Sequence, residues 1–159
     1  MADAFWTFSL AFYGRSGVAA ACIALQDEFG ADVNLLLFGL WTATLGRSLD
    51  DPALDRLERS CAAWRTTVIT PLRAARRALS PPPPGMPFDP ALTDALRRKL
   101  LAAELDAEHL QQSAMETLAP GSGAESPQMA GITTTNRLAA RYAIPLGHPA
   151  LIHLLEQLA

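Results

Sequence analysis

The chain has 159 residues, 50% of them apolar and 18% charged, with a formal net charge of −3. A chain of this length suits one domain, its apolar half supplies a core without disulfide or metal staples, and its weakly acidic balance argues against gross attraction to nucleic acid or anionic lipid. The charged fraction falls below the roughly 25% of ordinary globular chains. With a mean hydropathy of +0.13, this points to a large buried fraction or to an apolar surface of the kind a homodimer or a ligand groove needs.

Helix starts and stops recur along the chain and strand signals are nearly absent, so an all-α fold is expected: a compact bundle of about five to seven helices forming a single domain over residues 1–159. An aromatic-rich helix over Asp3 to Tyr13 carries Phe5, Trp6, Phe8, Phe12 and Tyr13. Gly14-Arg15-Ser16-Gly17 breaks it, and Ser16 is a plausible N-cap for a second helix, Val18 to Phe29. Val18, Cys22, Leu25 and Phe29 form its inward face, and Gly30 ends it at the position that favours positive φ. Asp32 is placed to cap a third helix, residues 33–45, apolar nearly all the way round and hence expected to be buried at the centre of the fold. Gly46 terminates it.

Asp51-Pro52 repeats the start signal, with Asp as N-cap and Pro at the first helical position. Leu54, Leu57, Cys61, Trp64, Val68, Leu72, Ala75 and Leu79 then step by three and four residues as one long helix. Pro71 lies inside it and is expected to kink or split it, because the ring clashes with the preceding turn. Residues 80–90 (SPPPPGMPFDP) form an extended connector. Asp89-Pro90 starts the last long helix, to about Leu118, with the stripe Leu92, Leu96, Leu100, Ala103, Ala107, Leu110, Ala114 and Leu118. Residues 120–132, rich in Gly, Ser and Pro, read as a flexible loop. Thr135 or Asn136 is expected to cap a short helix through Tyr142, and His148-Pro149 to open a final one through Leu158, whose apolar side chains need burial on the bundle or on a second subunit.

The apolar runs do not read as membrane spans: residues 4–25 are interrupted by Gly14-Arg15-Ser16-Gly17, and 33–45 is shorter than the about 20 residues a span needs. No basic segment leads the first apolar run, so no signal peptide is expected. Cys22 and Cys61 sit on apolar stripes and lack a basic or His neighbour to activate them, so they read as inert thiols in a reducing compartment. A cytoplasmic protein without a transmembrane segment is expected.

Two clusters invite a chemical reading. Gln26, Asp27, Glu28, Asp32 and Asn34 crowd the junction of the second and third helices. Two carboxylates and an amide oxygen there suit a hard cation or a ligand; the competing reading makes Asp32 a cap, pairs Asp27 with an arginine such as Arg65 and bonds Asn34 to backbone. On the last long helix Glu104 and Glu108 are one turn apart, which suits a metal between helices. They lack the Glu-x-x-His partners of di-metal bundles, and the competing reading is a solvated acidic face paired with Arg97, Arg98 or arginines of the neighbouring helix. Nine of the thirteen basic residues, Arg56, Arg59, Arg65, Arg73, Arg76, Arg77, Arg97, Arg98 and Lys99, lie between positions 56 and 99, and read as solvated helix faces rather than as an anion site. His109, His148 and His153 have no metal-ligand spacing. Trp41 and Trp64 are core anchors or, alternatively, the walls of an apolar pocket.

Phe5-Trp6-x-Phe8-Ser9-Leu10-x-x-Tyr13, Gly17-Val18, Leu25-Gln26-Asp27, Asp32-Val33-Asn34-Leu35-Leu36-Leu37-Phe38 and Leu40-Trp41 resemble an uncharacterised family of small bacterial proteins, a domain of unknown function. The family pattern has Pro where this chain has Ser16, a change of cap without chemical consequence. The resemblance implies a bacterial cytosolic protein and assigns no activity.

No catalytic set is assembled and no cofactor is implied. The leading expectation is a non-catalytic helical interaction or regulatory module, a homo-oligomer (a homodimer above all) or the partner of another protein, that binds no nucleic acid. The alternative is a binder or enzyme for a small, partly apolar ligand, with or without a hard metal ion, using Asp27, Asp32, Asn34, Trp41, Trp64 and Arg65.

Overall fold

The computed structural model describes residues 3–159, and among them it is all-helical, without strands. The helices are α1 (Ala4–Tyr13), α2 (Val18–Phe29), α3 (Val33–Thr44), α4 (Asp51–Trp64), a π-helical turn (Arg65–Ile69), α5 (Thr70–Arg77), α6 (Pro90–Glu116), α7 (Pro127–Arg141) and α8 (Pro149–Glu156). The chain divides into two units, one running up to Glu58 and resuming over Gln112–Ala159, the other Arg59–Gln111.

The first unit is built around α3. Ten of its twelve residues, Asn34 through Ala43, are buried, as expected of a helix apolar on every side. On one side α1 delivers Phe5, fully buried, edge-on to Phe38 at 5.1 Å and stacked on Trp41 at 5.3 Å. On the other side α7 crosses α3 where a Cβ on Gly39 would fall 2.7 Å from Thr134 Cγ2, so the absence of a side chain there is what lets the two helices approach. α8 packs on α2 and α7 and buries Leu151, Leu154 and Leu158. Much of the tail's apolar surface is thus covered within this unit, while Ile152 stays 45% exposed.

The helix caps match the sequence pattern at some ends and depart from it at others. Asp32 Oδ1 accepts from the backbone N–H of Asn34 at 2.9 Å and of Leu35 at 3.4 Å, as expected, and Gly30 ends α2 at φ 69°. Ser16 is no cap: Gly17 holds that place at φ 76°, a left-handed conformation open to glycine, and the Ser16 carbonyl lies 2.7 Å from His153 Nε2. Asp50, not Asp51, caps α4, its Oδ1 accepting from Ala53 N–H at 2.9 Å, while Asp51 and Asp55 receive Arg141. At α1, Asp3 adopts φ 77° and makes no side-chain cap; the carboxylate of Glu116 accepts from the N–H groups of Ala4 and Phe5 instead.

The stretch 120–132 departs most from its sequence reading. Helix α7 already begins at Pro127, with Ser126 Oγ accepting from Met129 N–H at 3.3 Å; Ser-Pro is the same cap-plus-first-turn signal that opens α6 and α8. Thr135 and Asn136 are therefore mid-helix, and Gly131 is a packing position, where a Cβ would meet Leu158 Cδ2 at 2.7 Å. The residues before it are tied down. Gly123 N–H donates to Leu45 O and Glu125 N–H to Gly46 O, Arg47 donates to the carbonyls of Gly121 and Ser122, and Glu125 Oε1 accepts from Ser48 N–H and Oγ. These bonds hold the Glu125 carboxyl below its usual range.

In the second unit Pro71 lies two residues past the π-helical turn. Its ring clashes with the carbonyl four residues back, that of Thr67, and a wide turn at that carbonyl relieves the conflict without breaking the helix. The run Thr66-Thr67-Val68-Ile69-Thr70, all β-branched, is a weak α-helix former that yields there. A wide turn also rotates everything after it. Ile69 is buried in place of Val68, and Arg73 and Arg76 turn inward while Ala75 is exposed.

Candidate functional site

The six residues singled out from sequence fall into separate settings. Asp32, Asn34 and Trp41 belong to α3 and its cap, are each 8% exposed, and already have partners in the first unit. Asp32 is occupied with the cap. Asn34 Oδ1 accepts from Gln112 Nε2 at 2.7 Å, a buried amide pair. Trp41, one face of α3 with Asn34 and Phe38, stacks on Phe5. Asp27 is exposed on α2. Trp64 and Arg65 lie in the second unit, where Trp64 Nε1 donates to Ala107 O at 2.9 Å and Arg65, half-buried, opens the π-helical turn.

Gln112 is not among the residues the sequence singles out; its position puts it on another face of the last long helix than Glu104 and Glu108. It is 2% exposed, and its Oε1 meets no hydrogen-bond donor among the described residues. The feature that would have found it is the pattern of α6. Its buried positions are Glu104, Ala107, Gln111, Gln112 and Met115, whereas Leu92, Leu96, Leu110 and Leu118 of the expected stripe are 73, 49, 62 and 42% exposed. The buried side of this helix is therefore polar, and the leucines lie to one side of it.

Glu104 is the centre of that polar side. It accepts from Arg73 Nε at 2.9 Å and from Arg76 Nε at 2.6 Å, and Glu108 accepts from Arg73 Nη2 at 3.0 Å. Burial pushes the Glu104 carboxyl up, but the hydrogen bonds from Arg76 and Arg73 outweigh it and hold the group below the usual carboxylate range. Of the two sequence readings of Glu104 and Glu108, pairing with arginines of the neighbouring helix is the one observed, although Glu104 is buried rather than solvated. Arg73 and Arg76 thus neutralise the carboxylates of Glu104 and Glu108. Among the described residues no three His, Cys, Asp or Glu side chains gather as a cation site requires. The Cys22 thiol is fully buried, and burial pushes its pKa up to about 12, far from the range of a nucleophile.

Residues 4–115 match the family model described as a protein of unknown function, DUF2390. The chain belongs to this family. Its match begins at α1 and ends in the last turn of α6, so it includes Asp32, Asn34, Gln112 and the Arg73–Arg76–Glu104–Glu108 cluster. No curated protein and no solved structure matches the chain significantly.

No single helix among the described residues is long and apolar enough to cross a membrane, and α1 and α2 meet at a bend of 98°.

Proposed function

We propose that this member of the DUF2390 family is a non-catalytic helical interaction module that works as a homodimer in the bacterial cytoplasm. The observation that carries the reading is the outer face of α6, where Leu92, Leu96 and Leu110 stand 73, 49 and 62% exposed on one side of a single helix. Isolated exposed leucines are ordinary, but several aligned on one side of a single helix mark an interaction surface. The settings of the polar residues support the non-catalytic part. Asp32 serves a cap, Asn34 a buried amide pair, and Glu104 two arginines, so each of these three has a structural occupation.

Light scattering on the eluting peak from size exclusion tests this directly. The expected result is a dimer for the natural chain and a monomer with an unchanged helical spectrum for Leu92→Glu combined with Leu110→Glu. A natural chain that stays monomeric at high concentration overturns the reading.

A second reading, a small and partly apolar ligand beside Asn34 and Trp41, draws support from one atom, the buried and undonated Oε1 of Gln112. A buried acceptor without a donor is costly, by about 1–3 kcal/mol, and a ligand N–H or O–H removes that cost. Native mass spectrometry checks it: extra mass that disappears on denaturation, and is missing from Asn34→Ala, favours this reading, and bare protein in both removes it.

A further inference from the structure

From the outer face of α6 we infer that the second copy docks through α6 itself, with the two helices antiparallel and related by a two-fold axis at Ala103. This rests on the homodimer reading above and states which surface makes the dimer and in which orientation.

The seam is written in the spacing. Leu92, Leu96, Lys99, Ala103, Asp106 and Leu110 follow one another by steps of four, three, four, three and four residues, the repeat that keeps a single stripe of a helix facing a partner helix. All six are exposed, and all lie within the second unit. The two charged members, Lys99 and Asp106, form no ion pair among the described residues. A charge inside an apolar stripe is a liability unless the partner supplies its opposite.

Those charges decide what covers the face and in which direction. Seven residues of helix separate Lys99 from Asp106, about 10 Å along the axis. When two copies pair parallel, Lys99 meets Lys99 and Asp106 meets Asp106, a repulsion at both places. When they pair antiparallel about Ala103, Leu96 faces Leu110 of the partner subunit at both ends. Lys99 then lies within the reach of its four-carbon stem of Asp106 of the partner subunit, twice per dimer. Ala103, the smallest residue of the seam, falls where the two helices cross and allows close approach. The stripe is self-complementary in one orientation only, as an isologous interface requires.

The test is a charge exchange read by light scattering over a dilution series at low salt. Lys99→Glu and Asp106→Lys each turn two attractions into two repulsions and weaken the dimer by about tenfold or more. The double variant Lys99→Glu/Asp106→Lys restores natural-strength dimers, and so does an equimolar mixture of the two single variants. These differences shrink in high salt. Because the positions are exposed, helical spectra stay unchanged; should either single variant misfold, the cross-link decides. Oxidation joins a Leu96→Cys chain to a Leu110→Cys chain in a mixture, and does not join Leu96→Cys to itself. A dimer that ignores both single reversals, or that the double exchange does not restore, overturns the α6 pairing while leaving the homodimer reading intact. A natural chain that is monomeric overturns both.

Discussion

Helices α3 and α6 invert each other. In α3 the apolar residues are inside: Leu35, Leu36, Phe38 and Leu40 are at most 2% exposed, and the polar Asn34 inside is paired. In α6 the leucines are largely outside, and Glu104, Gln111 and Gln112 are inside, at 2–4% exposed. α3 is buried all round and α6 on one side only, and the first is held by packing, the second by directed polar contacts. Packing tolerates small errors of angle and punishes loss of volume. A carboxylate between guanidinium groups tolerates loss of volume and punishes loss of charge, because removing one partner leaves the others desolvated and unpaired.

The sharpest way to test that contrast is a pair of truncations. Phe38→Ala removes the ring against which Phe5 and Trp41 pack and is expected to cost about 3–5 kcal/mol, read from the shift of the urea midpoint. Glu104→Ala leaves Arg73 and Arg76 facing each other without the carboxylate, at 22 and 23% side-chain exposure; solvent relieves part of that, and about 2 kcal/mol is expected. If Glu104→Ala is silent while Phe38→Ala is severe, the polar side of α6 is ornament and the contrast fails.

Acid sharpens the same comparison. The Glu104 carboxyl titrates below its ordinary value in the folded chain, so the stability it contributes is complete above the unfolded-state value near about 4.3. It is lost as pH falls through the lower folded value. Glu104→Gln, less stable at neutral pH, is therefore expected to show a flatter pH dependence below about pH 4.5, checked by denaturation series from pH 7 to acid. Identical slopes in the two proteins defeat the assignment.

Smaller effects probe the first unit. Gly123→Ala places a Cβ 2.1 Å from the Gly46 carbonyl oxygen and must open the bonds that tie 121–125 to the end of α3, at about 1–2 kcal/mol; faster amide exchange at Gly123 and Glu125 is the readout. Asp32→Ala, with the loss of one cap, is expected to cost about 1 kcal/mol. Cys22 is expected to react with a thiol reagent only at the rate of unfolding, since its thiol is buried and its pKa is about 12.

Much of the helix map was legible from residues. The limits of α2, the burial of α3, the caps at Asp32, Asp89 and His148, and the Pro-rich break before α6 follow from local rules of chain geometry, because a cap or a proline acts on its own first turn. Three local signals point elsewhere than their outcome, the first being Ser16, which yields the cap of α2 to Gly17. Ser126-Pro127 lies in a Gly/Ser/Pro-rich stretch that reads as loop, yet it opens α7, and Gly131 within that helix is a contact point with Leu158. The cap of α4 was placed one residue late, because either Asp50 or Asp51 fits the pattern.

By itself, then, the sequence determined an all-α chain, its main breaks, a central apolar helix and two buried cysteines, all consequences of short-range propensity and of how many apolar residues must leave water. Only the tertiary structure decided which side of α6 faces inward. Its leucine stripe and its glutamate side compete on nearly equal terms as a pattern. The π-helical turn ahead of Pro71 settled the matter by turning Arg73 and Arg76 toward α6, where half-buried guanidinium groups meet the buried Glu104 carboxylate. A single wide turn in one helix thereby set the buried face of another, a coupling between residues about 30 positions apart in the chain that no periodicity contains.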